Sequence, residues 1–218
     1  MGNTITSMDQ TMVELRSNIT FVIAILACTL WAATARADDW IDCQSNNAVT
    51  SIPACTAVIK AGNYSNDNIA SAYEYRGNGY SDKGDYKRAI KDYGQAIALK
   101  PGTAEIFNSR GVAYQLTHNL TLAFKDYNRA IELDPALAKA YYNHGLIYQL
   151  RRNFALAIKD YDRAISLNPA SANAYGNRGN SYEQLGEKQK AEADYHMALK
   201  LRPGDGVATR GLKRLKRK

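Results

Sequence analysis

The chain has 218 residues, 45% hydrophobic and 22% charged, which excludes the weakly hydrophobic, highly charged class that stays disordered. Its formal net charge is +7, but Arg210, Lys213, Arg214, Lys216, Arg217 and Lys218 supply six of those charges within the last nine residues. The body is close to neutral, which argues against a distributed nucleic-acid-binding face.

In chain order, the first feature is Ile19 to Ala35, an apolar run of 17 residues preceded by Arg16 and closed by Ala35-Arg36-Ala37, a small-x-small pattern that signal peptidase accepts. The run is shorter than the ~20 residues that span a bilayer, so residues 1–37 are expected to be a secretion signal cleaved after Ala37. A retained membrane anchor and a buried core helix are the alternatives. Translation from Met8 or Met12 would give a leader of more usual length, and lipidation at Cys28 is the weaker reading because apolar residues continue past it. Cleavage leaves Cys43 and Cys55, an even pair in a chain bound for an oxidising compartment, so a disulfide is expected, with two buried thiols as the alternative.

Residues 38–69 form an N-terminal cap in this scheme. Within it, Ile52 to Gly62 carries the period of a lone helix with Cys55 near its start.

From Ala70 the chain repeats every 34 residues, in units 70–103, 104–137, 138–171 and 172–205, each with a proline in register: Pro101, Pro135, Pro169 and Pro203. Unit positions 4, 8 and 11 hold an aromatic, a glycine and a tyrosine, as in Phe107-Gly111-Tyr114 and Tyr175-Gly179-Tyr182. Positions 20, 24 and 27 hold alanine, tyrosine and alanine, as in Ala123-Tyr127-Ala130. Spacings of four and three put each set on one face of a helix, so each unit is two helices joined by a short turn, with rings of one facing bare backbone of the other. These columns hold 11 of the 15 tyrosines and are expected to be buried. Glycine inside a helix costs roughly 1 kcal/mol against alanine, so its return four times implies that a side chain there would clash.

These residues resemble the tetratricopeptide repeat, a helix-turn-helix with small residues at positions 8, 20 and 27, aromatics at 11 and 24, and proline at 32. The resemblance implies an all-α fold, a right-handed α-solenoid of four such repeats with N- and C-terminal capping helices. Cysteine-bearing leaders with a tryptophan such as Trp40 resemble those of secreted bacterial members, which implies a periplasmic or secreted location. The chain departs from the family at position 7, where leucine is replaced by Arg76, Arg110, His144 and Arg178. Position 23 is Asp92, Asp126, Asp160 and Asp194; the two columns either pair between helices or face solvent independently.

Positions 2, 5, 9 and 12 of each first helix line the concave side in this family. Here they give Glu74 and Asn78; Asn108, Val112 and Gln115; Lys139, Tyr142, Leu146 and Gln149; and Asn173 and Asn180, with Ser71, Ser81, Glu105, Gly176 and Glu183 completing the face. Amides can bond the backbone of an extended peptide and Tyr142 can anchor a side chain, so a peptide or helix of a partner protein is the expected cargo. Family members that grip a terminal carboxylate do so with lysine, asparagine and arginine. Asn78 and Lys139 match that set, but Glu74, Ser109 and Asn143 do not, so this activity is not expected.

Residues 206–218 form a basic C-terminal capping helix and tail, with Val207, Gly211, Leu212 and Leu215 at near-helical spacing. A second function follows from Arg210, Lys213, Arg214, Lys216, Arg217 and Lys218, namely docking on anionic membrane or cell-wall polymer. No catalytic constellation is assembled. His118, His144 and His196 are scattered, and Gly77 and Gly79 lie inside a helix, so neither a metal site, nor a phosphate loop, nor a cofactor is expected.

Overall fold

The computed structural model describes residues 38–217; the leader, its cleavage site and Lys218 lie outside them. Residues 38–43 are helical, and ten helices follow within the described range. They are α1 (Ala48–Ala61), α2 (Asn66–Asp82), α3 (Tyr86–Leu99), α4 (Ala104–Leu116), α5 (Leu120–Leu133), α6 (Ala138–Leu150), α7 (Phe154–Leu167), α8 (Ala172–Gln184), α9 (Lys188–Leu201) and α10 (Gly206–Leu215). No described residue is in a strand, so the architecture is the all-α solenoid expected from the repeat.

Each helix packs on its neighbours in the chain. The first helices of successive units also touch one another, α2 to α4 to α6 to α8 to α10, whereas the second helices α3, α5, α7 and α9 do not. That asymmetry bends the stack and makes the first helices its concave side.

Local chemistry sets the boundaries. Asp85 and Asn153 cap α3 and α7 by accepting from the backbone N–H of Arg88 and Leu156, and Asp205 caps α10 by accepting from Ala208 at 2.9 Å. Pro101, Pro135, Pro169 and Pro203 stand three residues before Ala104, Ala138, Ala172 and Gly206 and hold each linker out of helix. The matching residue before Ala70 is Asp67, and there α2 runs one turn further back, to the Ser65 cap. The turn inside each unit needs one left-handed residue: Gly84, His118, Arg152 and Gly186, at φ 75°, 62°, 59° and 80°.

The glycine column has the predicted steric cause. A Cβ on Gly77, Gly111 or Gly145 would stand 2.8, 2.6 or 2.8 Å from Cε1 of Tyr93, Tyr127 or Tyr161, and one on Gly179 3.0 Å from Tyr195. Those four tyrosines are at most 2% exposed and fill the space between the helices of each unit. The expectation that all three aromatic columns are buried is corrected for the other two. Every tyrosine at positions 4 and 11 is half-buried, because these rings sit beside the arginine column and share its access to water.

The position 7 and 23 columns pair within each unit. Arg76 donates Nε and Nη2 to Asp92 at 2.7 and 2.8 Å, Arg110 does the same to Asp126, and Arg178 to Asp194 at 2.8 and 2.7 Å. In the third unit, His144 Nδ1 lies 2.8 Å from Asp160. The aspartates of the arginine pairs are 3 to 5% exposed, so they are not a solvent-facing column. Each guanidinium also lies over the rings at positions 4 and 11, with Arg110 5.5 Å from Phe107 and 5.8 Å from Tyr114.

The two ends are half-units in the same pattern. In α1 the buried residues are Ser51, Ala54, Cys55 and Val58, the spacing of Ala89, Asp92, Tyr93 and Ala96 in α3, so α1 has the pattern of a second helix. Cys55 stands where the tyrosine would be and forms a disulfide with Cys43. At the other end α10, the last helix among the described residues, has the register of a first helix. Gly206 follows Ala172 by one repeat, and Ala208 is fully buried, as Ala174 is at the same unit position. The face of α10 that would meet a second helix carries Thr209, Lys213 and Lys216, which ends the stack with charge.

Candidate partner-binding groove

The first helices bring part of the concave set together into two adjoining recesses, while Glu74, Gln115, Leu146, Gln149 and Asn180 line neither of them. One, of about 390 Å³, is lined by Asn108, Val112, Lys139, Tyr142 and Asn173 from the expected face, and by Asn143, Ala138, Ala164, Asn168 and Ser171. The other, of about 200 Å³, is lined by Asn78, Ser81, Asp82, Tyr93, Asn108, Ser109 and Val112. Asn108 and Val112 are common to both, so the recesses form one groove across α2, α4, α6 and the start of α8.

Much of the amide lining is engaged. Asn143 Nδ2 donates to Asn108 Oδ1 at 2.9 Å, Asn177 Nδ2 donates to the Tyr142 hydroxyl at 3.0 Å, and Gln149 Nε2 donates to Asn180 Oδ1 at 2.7 Å. Each of these bonds joins one unit to the next. The buried tyrosines take further acceptors: Tyr93 donates to Asn78, Tyr127 to Gln115, Tyr161 to Gln149 and Tyr195 to Glu183. A buried hydroxyl needs such a partner, and position 12 supplies it in units two to four. Gln115, Gln149 and Asn180 therefore serve the scaffold as well as the groove.

Tyr142 is half-buried rather than a free anchor. Its ring packs beside Ala164, Ile165 and Ala174, and burial holds its hydroxyl above the ordinary tyrosine range. Leu146 is half-buried as well, while Lys139 and Asn173 are exposed. Glu74 is half-buried on α2; burial first, and then the neighbouring Glu105, hold its carboxyl above the usual range, against the pull of Lys100.

The tail divides. Arg210, Lys213, Lys216 and Arg217 are exposed, but Arg214 turns onto α8 and donates Nε and Nη2 to Glu183 at 2.9 and 2.7 Å. Arg214 is thus withdrawn from an outward basic patch, because the buried Glu183 carboxylate demands a cation. Asn177 and Arg202, whose Nη2 donates to Asn173 at 2.6 Å, lie outside the expected groove set, and Asn143 entered it only as a departure from the carboxylate-gripping pattern; asparagine at unit position 6 of the third and fourth units is the signal for Asn143 and Asn177. Arg202 also pairs with Asp205, and no periodic signal marks it. No group of three or more metal-ligating side chains occurs among the described residues, and no described helix is long and apolar enough to cross a membrane.

A bent stack of helical hairpins with an open, amide-lined inner face is a helical-repeat binding module. Residues 77–117 and 119–150 match the family model described as TPR repeat, and residues 138–171 and 172–205 the one described as tetratricopeptide repeat. The chain belongs to the tetratricopeptide repeat family.

Similar solved structures agree with this. A crystal structure of MamA is 28% identical, covering 71% of this chain and 88% of that one with a TM-score of 0.63. The Arabidopsis OM64 TPR domain is 29% identical over 53% of this chain and 95% of that one, TM-score 0.51. The first TPR of Spaghetti (RPAP3), bound to the HSP90 peptide SRMEEVD, is 26% identical over 53% of this chain and 91% of that one, TM-score 0.51. No curated protein matches the chain.

Proposed function

We propose that this protein is a non-catalytic adaptor that holds an extended peptide or helix of a partner protein in its concave groove. The observation that carries this reading is the recess of about 390 Å³ between α4, α6 and α8, open to solvent and lined by amides, Lys139 and the apolar edge of Val112 and Tyr142. The similar Spaghetti domain in complex with a peptide supports a peptide as cargo.

Co-purification under mild crosslinking, repeated with Lys139→Glu and Asn173→Glu, both at exposed sites of the recess, tests it. Partner recovery falls for both variants while their melting curves stay near that of the parent. Recovery unchanged by either substitution overturns the groove as the binding face.

The exposed cations Arg210, Lys213, Lys216 and Arg217 support a second reading, docking of the tail on anionic membrane or cell-wall polymer. Such binding falls steeply with ionic strength, whereas groove binding does so less. We further propose export to the periplasm or beyond with cleavage after Ala37, which the Cys43–Cys55 disulfide supports because such bonds persist in oxidising compartments. N-terminal sequencing of the mature protein finds Asp38 first if this is right; a retained leader would make it a membrane anchor.

A further inference from the structure

The charged side chains at unit positions 2 and 5 of the first helices are sorted by sign along the stack. Arg76, Arg110 and Arg178 are consumed by aspartates, Arg202 by Asp205 and Arg214 by Glu183. At unit positions 2 and 5 of the first helices four charged groups form no ion pair within 4 Å among the described residues: Glu74 and Glu105 on α2 and α4, and Lys139 and Arg210 on α6 and α10; Asp82, which lines the second recess, adds a further unpaired carboxylate at the acidic end.

Arg210 belongs to this wall because α10 keeps the repeat register. Arg214 meets Glu183 across 31 residues, as Asn180 meets Gln149 across 31. Arg214 therefore stands at unit position 9 and Arg210 at position 5, the positions of Asn78, Val112, Asn108 and Tyr142 in the recesses. Glu74 and Glu105 stand on touching helices; burial first, and then Glu105, raise the proton affinity of Glu74 against the pull of the nearby Lys100, so a bound cation would relieve repulsion between the two carboxylates.

We propose that the groove takes an extended protein segment whose charge is divided along its length, with cationic side chains over Glu74 and Glu105 and anionic ones over Lys139 and Arg210. The inference rests on the adaptor reading above and adds the chemistry of the cargo to it. Touching helices lie about 10 Å apart, which separates the centres of the two charged ends by about 25 Å. An extended chain covers that distance in about seven residues. Like charge at the wrong end would meet its own sign, so the same four residues fix the register of the cargo.

The test is selection of random peptides of about 12 residues, displayed on phage, against the full-length protein. It is repeated on the triple variant Glu105→Lys, Lys139→Glu and Arg210→Glu, whose three sites are exposed. A photo-crosslinker on the leading peptides maps where they lie. The expected result is crosslinks to α4 and α6, a cationic and an anionic cluster about seven residues apart, and about tenfold weaker binding to the triple variant. An unchanged melting curve for that variant separates the loss from unfolding. Peptides that crosslink to α4 and α6 but carry no divided charge, or that bind the variant equally well, overturn the inference and leave the adaptor reading standing. Failure to select any peptide that crosslinks to the concave helices overturns both.

Discussion

Arg214 on α10 and Glu183 on α8 are joined by two charge-assisted hydrogen bonds, and the same Glu183 carboxylate accepts from the buried Tyr195 hydroxyl at 2.8 Å. This junction welds the half-unit at the C-terminus to the last complete repeat. Arg214→Ala leaves a carboxylate in a buried site and is expected to cost about 1–3 kcal/mol in urea melts. Glu183→Gln, which keeps an acceptor for Tyr195, reduces the cost of Arg214→Ala when the two are combined; simple addition of the two effects would place the pair outside the stabilising network.

The arginine and aspartate columns give a second coupling. In a double-mutant cycle, Arg110→Ala and Asp126→Ala are expected to be non-additive by about 1–3 kcal/mol, since each single change strands a partly buried charge. Equal and independent losses would contradict the bidentate contact.

His118 and Arg152 occupy left-handed backbone where units one and four use Gly84 and Gly186. His118→Gly and Arg152→Gly should each raise stability by about 0.5–1 kcal/mol, the relief of the Cβ clash exceeding the added freedom of the unfolded chain. Chemical denaturation midpoints check the sign.

Gly111→Leu drives atoms into the Tyr127 ring and is expected to cost at least about 3 kcal/mol, whereas Asn108→Leu loses one inter-unit bond and costs about 1 kcal/mol. A thermal melt of the two proteins side by side decides this.

Glu74 supplies a pH dependence. Its carboxyl binds a proton more tightly in the folded chain than in the unfolded one, so its contribution is fully present below the ordinary carboxylate range and is lost as pH rises through the raised value. Glu74→Gln should therefore melt above the parent at pH 7 and lose that advantage at pH 4. An equal difference at both pH values would exclude Glu74 as the source.

The repeat was legible because it is a packing code written four times: Gly77 to Gly179 have no room for a side chain, and Tyr93 to Tyr195 fill the space left. The resemblance to the tetratricopeptide repeat implied the concave positions. What those side chains do there was less legible. Tyr142 and Gln149 carry the groove pattern, yet Asn177 and Tyr161 bind them, and these partners come from another unit or another helix. Glu183 and Arg214 belong to different regions of the sequence pattern and meet only because α10 continues the stack.

Periodicity by itself determined which residues must be inside, since helical spacing and excluded volume act on near neighbours and recur with the unit. The tertiary structure decided which polar groups are already satisfied, that Cys55 takes a tyrosine's place, and that the terminal helix continues the row of first helices. Those outcomes depend on contacts between units, where a buried donor or charge takes whichever partner the curvature of the stack brings within reach.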